Sequence, residues 1–160
     1  MIKYQKKSLK AGKYVDTAHV DSVIRTYKQE RWVHNSERIG KSDSLSCWYS
    51  IEELEEYIET AKQNGGDGIK VYFAAYPNDF EKVPEYAGRQ TVVLVATKQK
   101  ETAQGVVNKD LYIQGQSGPE ILAYNMGSLC PPYCGGKGIA ADDGIGIAVI
   151  DRKEEGMIII

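Results

Sequence analysis

The sequence has no apolar run near the ~18 residues that a membrane-spanning helix requires, so none is expected. The stretch Met1–Lys10 carries basic side chains but no apolar core, which speaks against a secretory signal. The expected compartment is therefore the cytoplasm, and there the three cysteines should stay mostly reduced. Histidine is scarce, with His19 and His34 placed singly and Cys47 apart from both, so no second pair of ligands accompanies Cys130 and Cys134 in a zinc-finger spacing. Gly135-Gly136-Lys137-Gly138 lacks the Ser or Thr that closes a phosphate loop, and Gly144-Ile145-Gly146 is not a dinucleotide fingerprint. Asp142-Asp143-Gly144 lacks the alternating oxygen ligands of a calcium loop and reads as a turn. Internal repeats and low-complexity tracts are absent. These gaps leave no catalytic signature, and the expectation is no catalytic residue, no metal and no cofactor.

What is present fits one domain. With 160 residues, the folding chain buries roughly two-thirds of its surface and needs no disulfide or metal to hold a core. The formal net charge of −2 gives no global positive field to gather nucleic acid. Charge is nonetheless uneven: Lys3, Lys6, Lys7, Lys10 and Lys13 would share one face if residues 1–15 were helical. That segment reads as a basic, solvated N-terminal piece ahead of a globular domain over 16–160, with an acidic partner as the competing reading.

Helical spacing of Val20, Val23, Ile24, Tyr27 and Arg31 predicts a helix over 17–36, capped by Asp16, with the polar run Lys41–Ser46 as a loop beyond Gly40. A second helix is marked by the capping box Ser50 and Glu53, the staple pair Tyr49 and Leu54, and the stripe Ile51, Leu54, Tyr57, Ile58 and Ala61. Asn64-Gly65-Gly66 stops it. Period-two alternation over Ile69–Ala75 predicts a strand, and Thr91–Thr97, apolar on both faces, a central one. Pro77–Arg89 between them is a long polar loop. Lys98–Asp110 reads as polar and mobile, Leu111–Gln114 and Ile121–Tyr124 as short strands, and Ile145–Ile150 and Met157–Ile160 as two strands about a turn. The fold class expected is α+β: a small antiparallel or mixed sheet with two helices packed on one face.

The most distinctive segment is Cys130-Pro131-Pro132-Tyr133-Cys134-Gly135-Gly136. Together with Trp48-Tyr49-Ser50, Gly68–Pro77 and Gly88–Thr97, it resembles a family of small uncharacterised bacterial proteins with a CPPYCGG-type loop, over residues 17 to 136. The resemblance implies that helix, strands and loop form one unit. It carries over no catalytic residue.

Three readings of Cys130 and Cys134 compete. A redox pair needs a stabilised thiolate, usually at a helix start, and here two prolines and Gly-Gly make a loop. A zinc half-site has acceptable spacing but needs two further ligands. A rigid turn, set by proline φ and by glycine, needs neither and can serve recognition. Tyr72 and Tyr76 lie on one strand face beside Lys70, and tyrosine is enriched at interfaces. The candidate binding residues are thus Tyr72, Tyr76, Cys130, Tyr133 and Cys134. The expected function is a non-enzymatic protein-binding module that self-associates. A thiol- or zinc-dependent enzyme using Cys130 and Cys134, and a small-ligand binder with a pocket between helix and sheet, are the alternatives.

Overall fold

The computed structural model describes residues 10–134, 149–151 and 157–159. Lys3, Lys6 and Lys7, the Gly135–Gly138 and Gly144–Gly146 motifs, Asp142-Asp143, and most of the expected strand 145–150 lie outside the described residues. Lys10 to Asp16 forms no helix, so no shared lysine face arises there.

Asp16 caps α1 (Thr17–Tyr27), its carboxylate accepting from the His19 N–H at 2.8 Å. The helical run extends three residues past the expected 17–36. It passes through a π turn (Lys28–Trp32), in which the Val33 N–H reaches back five residues to Lys28, and continues as α2 (Val33–Ile39) to a left-handed Gly40. The π turn faces the loop after Gly40. There Trp32 Nε1 donates to the Asp43 carbonyl at 2.7 Å, and the Asp43 N–H donates to Ser36 Oγ at 2.9 Å.

The loop leads into β1 (Ser46–Trp48), and Ser50 then caps α3 (Ile51–Gln63). The capping box forms as its sequence requires: the Glu53 N–H donates to Ser50 Oγ and the Ser50 N–H to Glu53 Oε2. Glu53 also accepts the Tyr124 hydroxyl at 2.7 Å, so a local cap doubles as a tertiary tether.

The main sheet is antiparallel, in the order β2 (Gly68–Ala75), β3 (Gln90–Thr102), β4 (Gly105–Asp110). The loop between β2 and β3 holds a 3₁₀ turn, Pro84–Tyr86, and the two strands pair across it from Ala75↔Gln90 to Gly68↔Thr97. The Lys98–Asp110 stretch, expected as a mobile coil, is instead the end of β3 and all of β4. Its polar residues suit a two-stranded ribbon that is solvated rather than packed, and the Thr102 hydroxyl donates across the turn to the Gly105 carbonyl. The chain then makes the hairpin β5 (Tyr112–Gly115) and β6 (Gly118–Ile121), and returns to β3 as β7 (Ala123–Tyr124). Leu111 and Leu122 fill the gap between β4 and β7, since the Ala96 carbonyl accepts from Leu111 and the Ala96 N–H donates to Leu122. β8 (Ser128–Cys130) pairs with β1, and β9 (Val149–Asp151) pairs antiparallel with β10 (Met157–Ile159).

Two cores result. Tyr57 and Ala61 of α3 pack with Leu94 and Ala96 of β3, flanked by Tyr49, Leu54, Leu111, Leu122 and Tyr124. Tyr76, Tyr86 and Leu129 form the other, with Phe80, Val83 and Tyr133 around them. Among the described residues no helix is long and apolar enough to cross a membrane.

Candidate functional site

The stripe Val23, Ile24, Tyr27 and Arg31 does not sink into a core. It forms one wall of an open cleft of about 600 Å³, whose floor is Val92 and Gln90 of β3 and Phe73 of β2. The end wall is Ser44–Cys47, where the chain enters β1. The volume lies within the range of about 300–1,000 Å³ typical of small-molecule sites.

A buried polar knot fixes this end wall. Asp43 is almost fully buried, and its Oδ1 accepts the N–H groups of Ser44 (2.8 Å) and Gln90 (2.7 Å). The Ser44 hydroxyl donates to the Gln90 carbonyl. Arg89, also buried, donates to the carbonyls of Ser42 and Glu85, which satisfies a charge that could not otherwise be held out of water. Burial pushes the Arg89 guanidinium down, with Asp43 opposing that shift.

Polar groups inside the cleft are few. The Tyr27 hydroxyl donates to Gln90 Oε1 at 2.8 Å, while Asn35 and Arg31 stand on the helical side. Burial pushes the Tyr27 phenol up and Asp43 adds to it, so it remains a neutral donor at physiological pH. Cys47 is the free thiol on the end wall, raised by burial, which makes it a poor nucleophile near neutrality. Behind it, the Tyr49 hydroxyl is buried with no hydrogen bond of good geometry among the described residues, its polar neighbours being the Cys47 thiol and the Gly127 backbone, and burial lifts its pKa well above the phenol range.

The residues singled out in the sequence fall in two places. Tyr76 lies on the same sheet face as Tyr72 but is buried. Its hydroxyl donates to Asn125 Oδ1 at 2.9 Å, and its ring stacks on Phe80 and Tyr86. The loop after β2 covers it rather than a helix. Tyr133 meets the edge of the Tyr86 ring, and Cys130 is buried beside this cluster. Cys130 and Cys134 are joined in a disulfide, which corrects the expectation of reduced thiols and leaves neither free for zinc or for nucleophilic attack. Tyr76, Tyr133 and the disulfide therefore belong to one packed unit around Tyr86 and Leu129. Tyr72 stays at the surface, where its hydroxyl donates to Asp110 Oδ2 at 2.7 Å and Lys70 Nζ donates to Asp110 Oδ1 at 2.6 Å. A continuous tyrosine surface does not form, because one ring is covered and the other is not.

His19 is exposed, and His34 is largely exposed at 3.7 Å from Glu37. Among the described residues no three His, Cys, Asp or Glu side chains converge as metal ligands would. The cleft-lining Gln90, Phe73 and Cys47 escaped sequence reasoning. Only the Val23–Arg31 stripe signalled that wall. No family model, curated protein or solved structure matches the chain.

Proposed function

We propose that this chain is a non-enzymatic binding module that holds a small, largely apolar molecule in the cleft between its first helix and its sheet. The observation that carries the reading is the cleft itself: an apolar volume of ligand size with a neutral tyrosine donor, an amide pair and one arginine at its walls. Strand register supports a shared face for the two helical units. Leu94 and Ala96, packed by α3, have the same parity along β3 as Val92 and Gln90, which lie toward α1. In this reading both helical units sit on that one face, and the cleft lies between α1 and the sheet.

The thiol-enzyme alternative loses support, since Cys130 and Cys134 are bonded to each other and burial keeps the Cys47 thiol protonated. Protein contact has its own supporting observation, the exposed apolar residues of β2. A cytoplasmic setting and a closed disulfide pull in opposite directions, because reducing pools keep cytoplasmic thiols open. Alkylation during lysis, followed by mass measurement, decides between them.

The test of the cleft is a titration with the apolar anion 1-anilinonaphthalene-8-sulfonate. Saturable fluorescence at one probe per folded chain is expected, lost in Ile24→Trp, which fills the cleft, and accompanied by slower alkylation of Cys47. Absence of saturable binding, or binding indifferent to Ile24→Trp in a chain that unfolds cooperatively, defeats the proposal.

A further inference from the structure

β2 is an edge strand, and among the described residues nothing pairs with its outer side. The Tyr76 N–H donates to the Arg89 carbonyl and extends the ladder with β3. Bonding residues alternate along an antiparallel strand, so Ala74, Tyr72 and Lys70 turn their backbone groups toward β3. Ile69, Val71, Phe73 and Ala75 therefore aim their N–H and C=O groups at the free edge. The same residues share one face of the sheet, and there Ile69 is 38%, Val71 52% and Phe73 86% exposed. Unpaired backbone groups and unburied apolar side chains thus coincide. Edge strands are commonly guarded by charge. Here the one charge in Gly68–Ala75 is Lys70, already bound to Asp110 of its own chain.

We propose that the occupant of this edge is a second copy of the chain, with β2 paired antiparallel to β2 across a two-fold axis at Val71. An axis perpendicular to the sheet keeps each face on its own side, so residues that meet must share parity. With Val71 opposite Val71, Ile69 meets Phe73 and Lys70 meets Tyr72. All three exposed apolar side chains then find apolar partners, and the two sheets join into one. Putting Tyr72 on the axis still pairs Val71 with Phe73, but it sets Ile69 against the small Ala75 and Lys70 against Ala74, so Ile69 loses its large apolar partner. The strand is far shorter than the roughly 20–30 residues a side of a standard interface, so the dimer is weak and concentration-dependent. The inference rests on the strand edge; it shares Phe73 with the cleft, but Val71, the residue its test changes, does not line the cleft.

Light scattering across a dilution series, with amide exchange read at individual residues, tests it. The native chain is expected to approach twice its mass at high concentration, with the Ile69, Val71 and Phe73 amides protected there and released on dilution. Val71→Lys and Val71→Glu each place like charges on the axis and should remain monomeric alone. An equimolar mixture of the two should recover the dimer, which a folding defect would not. The proposal is overturned by a native chain that stays monomeric, by a Val71→Lys chain that self-associates like the native one, or by a mixture that does not recover. A monomer with those amides protected would put a segment of the same chain on the edge and overturn it equally.

Discussion

Tyr57→Phe removes one oxygen atom at the place where three parts of the chain meet. The Tyr57 hydroxyl, on α3, lies 3.1 Å from the Leu94 carbonyl of β3 and 3.0 Å from the Leu122 carbonyl just before β7. It carries a single proton, so the two contacts share one donor. Neither carbonyl depends on it. Leu122 also accepts the Ala96 N–H, and the same antiparallel register pairs Leu94 with Tyr124. The loss is therefore one net hydrogen bond without a stranded partner, about 1 kcal/mol, and the ring stays to fill the core. For a chain of this length that is a fall in Tm of about 2–4 °C. Tyr57→Ala also deletes the ring beneath Leu94 and Ala96, and should cost about 3–5 kcal/mol. Urea unfolding followed by far-ultraviolet circular dichroism measures both, read from the midpoint at constant slope. A Phe variant as stable as the native chain would mean the hydroxyl makes no bond worth having. A Phe variant that loses as much as the Ala variant would mean the carbonyls have no other partner. Either result refutes the reasoning.

Tyr49→Phe should behave oppositely to Tyr57→Phe. The Tyr49 hydroxyl is buried and makes no hydrogen bond of good geometry among the described residues, with only the weakly bonding Cys47 thiol and the Gly127 backbone near it, so its removal should leave stability unchanged or raise it by up to about 1 kcal/mol. Asp110→Asn should lower Tm in a pH-dependent way. The Lys70 ammonium first, and then the Tyr72 hydroxyl, hold the Asp110 carboxyl below its usual range, so its contribution is present above the ordinary carboxylate pKa and fades as pH falls through the lowered value. Bonding to Asp110 raises Lys70, whose contribution holds up to the ordinary lysine range and is lost as pH rises through the raised value. The Tm gap between the native and Asp110→Asn chains should thus be widest from about pH 5 to about pH 9 and close in acid. A gap that persists unchanged into strong acid contradicts the assignment.

What could be read in advance follows from the reach of each interaction. The Ser50–Glu53 box was legible because both partners lie within one turn. The β2 alternation was legible because period two is a property of consecutive residues. The end wall of the cleft was not. Asp43 looks like one more loop aspartate until Gln90 arrives beside it, and β1 exists only because Ser128–Cys130 supplies its ladder. The ribbon of β3 and β4 hid for a different reason: it buries little, so its polarity resembles that of a coil, and Ala103-Gln104 carries none of the usual turn chemistry. The Val23–Arg31 stripe shows the deeper ambiguity. Hydrophobic spacing says which side of a helix avoids water, but not what covers that side. Identical periodicity therefore serves a packed core and the wall of a binding cleft. On α3 the covering is β3 itself, and Tyr57 and Ala61 are buried. On α1 the same pattern stops short of the sheet by the width of the cleft, and Val23 remains half exposed. That uncovered stripe is the surface the proposed ligand would bury.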